Sequence, residues 1–427
     1  MLRQLTRALV CGGALPLALA AQTVAITGGT VYPVYGPKIE HGTVLMRNGA
    51  IVAVGANVPV PAGATRIDAT GKWVTPGLIN AWTQLGLSEA GGPAFSGGYN
   101  DESAHGVKGV TASFDAWEGV NPASTFIIPA WQDGITTVLV HPSGTLLSGR
   151  SAMLDLAGGS VAAMLIRAPV AMMGTLDPAA GLQQSRGEAI AYLRELLSDA
   201  KVYATRKQAV ENNQSRAFAA SRADLEALIP VVTGKLPLAL NVNRASDIRA
   251  ALALAKEFSL RLIVTGGAEA WEVAAELAAA RVPVMVGAMD NIPENFSQLG
   301  QRQENAALLR AAGVAVTLVG NGPGDEENFN VRNIRQEAGN AVAYGMSWDD
   351  ALRAITLAPA EAFGVADRVG SLQAGREANV VVWSGDPFEF ATRAEQVFIR
   401  GALQHGTSRQ DLLAQRYLHG TPEYFKP

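Results

Sequence analysis

The chain has 427 residues, a formal net charge of −4, five histidines and one cysteine. At about 150 residues per domain, this length allows two or three domains, or one barrel with an appended unit. A hydrophobic share of 48% against 17% charged residues excludes wholesale disorder and a coiled coil; the small negative charge gives no general attraction to nucleic acid or anionic membrane, and one cysteine makes neither an internal disulfide nor a zinc–thiolate cluster.

Residues 1–20 read as a secretory signal peptide. Arg3 and Arg7 form a basic start, Ala8 to Ala20 is apolar, and Ala18-Leu19-Ala20 supplies the small residues a signal peptidase requires. Val10 before Cys11 departs from a lipoprotein pattern, and cleavage removes that cysteine. A periplasmic or secreted protein is expected. From Thr23 to Val74 short strands alternate with turns, and Asn48-Gly49 between apolar runs is a two-residue hairpin signal. Gly370 to Gly401 reads the same way, with a strong β run at Val380 to Trp383. Neither piece is large enough to stand alone, so residues 21–75 and 366–405 are expected to pair as one composite β-sandwich.

Between them the period changes. Strand-like runs at Thr136 to Val140, Pro237 to Val242, Leu262 to Thr265, Pro283 to Val286 and Val314 to Val319 alternate with helical segments. Those segments are Asp247 to Phe258, Ala268 to Ala280, Glu304 to Ala312 and Asn333 to Tyr344. Such alternation implies parallel strands with right-handed crossovers, and residues 76–365 suit a (β/α)8 barrel. Ser347 followed by Asp350 reads as a helix start. Leu156 to Gly174 is apolar enough for a membrane check, but Arg167 within it favours buried barrel strands. Ser88 to Asn121 reads as a long Gly-rich loop, and 406–427 as a tail.

The run VTPGLINAWTQLGL (74–87) resembles the first-strand signature of the amidohydrolase superfamily, V-x-P-G-L-I-D-x-H-x-H-x-G. AGREANVVVWSGDPFEF (374–390) resembles its closing β segment, and DALRAITLAPAEAFGVADRVGSL (350–372) the helix pair before it. The resemblance spans nearly all of the mature chain and is closest to the imidazolonepropionase-like branch. It implies a (β/α)8 barrel with a composite sandwich. It also implies a divalent metal, usually zinc, at the barrel mouth, where the metal polarises a carbonyl and acidifies a water.

Carried over position by position, the metal ligands change. Trp82 and Gln84 stand where the resemblance implies the two first-strand histidines, Asn241 for the fifth-strand histidine, Gly266 for the sixth-strand histidine and Asn321 for the eighth-strand aspartate. An indole has no lone pair for a metal, and a carboxamide oxygen is a weak neutral ligand. If four ligands hold a structural zinc by roughly 10–16 kcal/mol, each contributes on the order of 3 kcal/mol, and losing five leaves no expected affinity. No metal site and no cofactor are therefore expected.

Of the histidines, His41, His405 and His419 lie outside the barrel segment, His105 falls in the long loop, and His141 follows a barrel strand as a candidate catalytic residue. Ser198-Asp-Ala-Lys201 fits S-x-x-K without its partner motifs, and no G-x-S-x-G or H-E-x-x-H occurs. Asp101, Glu102, Asp290, Glu294 and the acids of Asn321 to Asn328 are loop carboxylates with a solvated reading beside an oxygen-ligand one. The replacements suit ligand binding, with Trp82 as a stacking face and Gln84, Asn241, Arg244 and Asn321 as polar groups.

The expected function is an exported family member without the metal ligands. It would bind a small amide- or peptide-like ligand, or pair with a metal-bearing relative as a heterodimer, or with itself. The alternative is an active carbon–nitrogen hydrolase with a noncanonical site, and a ligand-free scaffold is the third reading. No nucleic-acid partner and no membrane span after signal removal are expected.

Overall fold

The structure, a computed structural model, describes residues 23–90, 99–101, 106, 109–142, 144, 146–176, 185–212, 216–289, 291–293, 295–320 and 330–418. The signal segment, His105, His419, Glu102, Asp290, Glu294 and Asn321 to Asn328 lie outside those residues.

The chain opens with β1 (Thr23–Val31), β2 (Ile39–Arg47), β3 (Ala50–Gly55), β4 (Thr65–Asp68) and β5 (Trp73–Pro76). At the hairpin, Arg47 pairs with Ala50 across Asn48 (φ 52) and Gly49 (φ 80). Asparagine and glycine hold that left-handed pair at the least steric cost.

Next come β6 (Leu78–Thr83), β7 (Ser88–Ala90), β8 (Tyr99–Asp101), β9 (Ile135–Val140), β10 (Gly149–Asp155) and β11 (Leu165–Thr175). They are followed by β12 (Leu238–Val242), β13 (Leu262–Gly266), β14 (Val284–Val286) and β15 (Val316–Leu318). The last strands are β16 (Val380–Trp383), β17 (Ala394–Ile399) and β18 (Ala402–Leu403).

Two eight-stranded sheets result. One runs β18-β17-β16-β5-β1-β2-β3 with β4 also on β1, so β16 of the far chain end pairs directly with β5 of the near end. Both ends fill one core, Val24, Ile26, Val44 and Val74 packing with Val380, Val382 and Phe398. The other sheet is the barrel, β15-β14-β13-β12-β11-β10-β9-β6, whose outer members β15 and β6 meet. This is the (β/α)8 barrel with a composite β unit.

Strict parallelism fails at one strand: β10 is antiparallel to both β9 and β11. The link between β9 and β10 spans only 141–148, which permits a hairpin-type return but is too short for a crossover. Leu165–Thr175 of the membrane check is β11, with Arg167 beside Asp367 at 3.2 Å. No helix among the described residues is long and apolar enough to cross a membrane. The supposed loop Ser88 to Asn121 contains the β7–β8 hairpin and a 3-10 turn at Ala116–Gly119.

Along each central strand, alternate residues enter different cores. Leu238, Leu240, Leu262 and Val264 pack outward under the helices, while Ala239, Ile263, Met173 and Met285 fill the barrel interior. The helix Ala245–Phe258 shows the matching stripe, burying Ile248, Ala251, Leu254, Ala255 and Phe258. Helix Arg186–Glu211, which contains a kink at Arg206, includes the polar helical stretch around Ser198 to Lys201 that the sequence shows, whereas helix Arg222–Val232 was not expected from periodicity.

Candidate functional site

The carboxyl ends of the parallel strands form the mouth of the barrel. At the end of β6 the indole of Trp82 stacks on the imidazole of His141, centroids 3.8 Å apart and planes 33° apart. Two features bring them together. The ladder between β6 and β9 is irregular between Asn80 and Thr83, and there Asn80 Oδ1 accepts from the Trp82 N–H at 3.1 Å while its Nδ2 donates to Val331 O at 3.0 Å. Strict alternation puts Trp82 on the face of outward Leu78; the irregularity lets it pack against inward Ile79 and Ala81 instead. The His141 N–H then donates to Thr83 O at 3.1 Å, extending the pairing past β9.

His141 is fully buried, and its Nδ1 lies 3.0 Å from Pro142 O. A carbonyl oxygen only accepts, so Nδ1 carries the proton and in the neutral ring the lone pair sits on Nε2. Gln84, one residue beyond β6, is also buried, and its backbone carbonyl accepts from the N–H groups of Leu87 and Ser88.

Asn241 is the inward residue near the end of β12. The ladders set it beside Thr175 on β11 and Thr265 on β13, and Thr265 beside Met285 on β14. A polar layer, Thr175-Asn241-Thr265, thus lies directly above the apolar layer Met173-Ala239-Ile263. The two threonines were not singled out from sequence because only the inter-strand register shows them to be Asn241's neighbours. Arg244 follows at the N-cap of helix Ala245–Phe258, half-buried, and its guanidinium has no ion pair or hydrogen bond among the described residues.

Gly266 ends β13 at φ +81. A Cβ there lies 2.6 Å from Asn243 Oδ1 and 3.3 Å from Asn241 Oδ1. A histidine at this position therefore faces left-handed backbone strain, a clash with the Asn243 amide and a tight approach to that of Asn241. Two of the described carboxylates near the mouth are engaged with backbone: Glu269 accepts from Ala245 N at 2.9 Å and Gly300 N at 3.2 Å, and Glu337 accepts from Ala288 N at 2.9 Å. Among the described residues no group of three or more His, Cys, Asp or Glu side chains is placed to hold a metal ion.

Other sequence candidates are dispersed. Ser198 to Lys201 lie on helix Arg186–Glu211, with Lys201 over the Phe258 ring at 4.8 Å and buried Asp199 accepting from Ala219 N at 2.8 Å. His41 and His405 are exposed outside the barrel. The largest carboxyl shift is at the opposite end: Asp155, the last residue of β10, is pushed up to about 7 by burial and by Glu377 beside it. Asn379 Nδ2 and Thr137 Oγ1 donate to it at 2.8 and 3.0 Å.

The comparisons agree with this architecture. The Amidohydrolase family profile matches residues 73–404. The chain is similar to an amidohydrolase, tasK, of Hapsidospora irregularis, at 23% identity over 397 residues, covering 85% of this chain but only 40% of that protein. It is similar to an imidazolonepropionase of Acidiphilium cryptum at 26% identity, covering 82% of this chain and 89% of that one. Among solved structures, an amidohydrolase from Thermotoga maritima superposes with a TM-score of 0.80 at 26% identity, covering 90% of this chain and 99% of that chain. With a profile spanning residues 73–404 and a barrel-plus-composite architecture behind it, the chain belongs to the amidohydrolase family.

Proposed function

We propose that this family member works without a metal, holding a small amide- or peptide-like ligand at the mouth of its barrel. The observation that carries the reading is Gly266, where the Asn241 and Asn243 amides occupy the space a ligand histidine would need. The Trp82–His141 stack supplies a flat wall, and Gln84, Asn241, Thr175 and Thr265 supply donors and acceptors suited to a neutral carboxamide. Arg244 and Asn321 belong to the same set, the former offering a charge to an acidic end group. The chain is exported in this reading, and its partner is itself or a metal-bearing relative.

Elemental analysis of the purified mature protein tests the proposal: stoichiometric zinc, iron or manganese overturns it. A panel of amides and dipeptides should include one that raises the melting temperature of the wild type and fails to do so in Trp82→Ala. Sequencing the N-terminus of the exported protein checks the signal, with cleavage after Ala20 expected.

A second reading has its own observation. Buried His141, with Nδ1 tied to Pro142 O, presents Nε2 as the lone-pair nitrogen a general base needs. If the protein hydrolyses carbon–nitrogen bonds, His141→Ala abolishes the activity; an activity that survives the change removes this reading.

A further inference from the structure

The floor of the barrel, opposite the mouth, holds a cavity of about 360 Å³ that the proposed function leaves unused. It opens between the starts of β12 to β15 and the helix Leu357–Ala362. Its walls include an apolar surface: Ile263, 2% exposed, belongs to the interior core, and Val282 and Ala358 continue it.

At its rim stand Arg261 and Arg281. Arg261 directly precedes β13 and Arg281 lies three residues before β14, its neighbour in the barrel sheet, so both line the same opening. Among the described residues neither guanidinium has an ion pair, hydrogen bond or ring partner, and the rim carboxylate, Glu361, is taken up by Arg353 at 2.5 Å.

Like charges lining one opening repel, whereas two guanidinium forks converging on one anion form charge-assisted pairs. Arg281 also closes the helix Ala274–Ala280 at φ 54, where glycine is cheaper. The helix dipole rewards a cation at that end. It does not account for Arg261, which lies beyond the left-handed Ser259 that ends helix Ala245–Phe258.

We propose that this cavity binds a small organic carboxylate, its anion between Arg261 and Arg281 and its apolar body against Ile263, Val282 and Ala358. The test is calorimetric titration of the full-length protein with benzoate, with benzyl alcohol as the uncharged analogue and sulfate as the bare anion. Saturable benzoate binding is expected, at least tenfold weaker in Arg261→Gln and Arg281→Gln and at least tenfold weaker for benzyl alcohol. Ala315→Phe, at an exposed lining position, fills the cavity while keeping both charges and is expected to abolish binding; it keeps the proposal testable should an arginine variant fail to fold. Trp82→Ala leaves the titration unchanged. The proposal is overturned by absence of saturation, by sulfate binding as tightly as benzoate, by unaltered affinity in the arginine or Ala315→Phe variants, or by loss of binding in Trp82→Ala.

Discussion

A methyl group at residue 266 meets Asn243 Oδ1 at 2.6 Å on a backbone of φ +81. Gly266→Ala is therefore expected to cost about 1–3 kcal/mol, read as a lower urea midpoint with an unchanged slope. Adding Asn243→Gly should restore the steric part and leave the backbone part, so a double variant no more stable than the single one contradicts the packing argument. Trp82→Ala removes a half-buried indole and its stack on His141, and about 2 kcal/mol of stability with it. Both residues were identifiable in the sequence as departures from the first- and sixth-strand signatures. What packs around them was not, because Asn243, Thr175 and Thr265 reach the site through strand register and loop path rather than through any local pattern.

Strands and helices with a strong local signal stand close to where periodicity puts them. Ser347 does cap the helix Trp348–Ala354, its Oγ accepting from Asp350 N at 3.1 Å. Ser347→Ala should lower stability by about 1 kcal/mol, measured by denaturant unfolding. The irregularity in β6 carries a larger expectation. Asn80 serves both Val331 O and the Trp82 N–H, so Asn80→Ala strands two buried backbone groups and is expected to cost about 2–4 kcal/mol. The Trp82–His141 contact should loosen with it, visible as a red shift in tryptophan emission. β10 was missed for a physical reason: a strand buried on both faces carries no alternation, and direction is set by the length of the link before it rather than by composition.

Across the whole molecule, the join between barrel and composite unit sets a buried aspartate, Asp155, against a half-buried glutamate, Glu377. Asp155 of β10 faces Glu377, with Arg400 Nε at 3.5 Å from the former and Arg368 Nε at 2.6 Å from the latter. Burial and Glu377 together outweigh the hydrogen bonds from Asn379 and Thr137 and raise Asp155 from 3.8 to about 7. In that window the folded state holds a proton that the unfolded chain has released. The contribution of Asp155 is thus fully present below pH 3.8 and is lost as pH rises through about 7. Urea midpoints measured between pH 4 and 8 are expected to show this decline, and Asp155→Asn to flatten it; an unchanged slope in the variant assigns the decline to other groups.

The sequence by itself determined the class of fold and the identity of the departures, since strand–helix alternation and the motifs of residues 74–87 and 374–390 are local properties of the chain. Tertiary structure alone decided the reversal of β10, the polar layer around Asn241, the stack of Trp82 on His141, the adjacency of Asp155 to Glu377, and the meeting of Arg261 and Arg281 at one cavity. Each is a contact between residues that only pairing and burial bring together, and the free energies of those contacts depend on neighbours that the order of residues does not name.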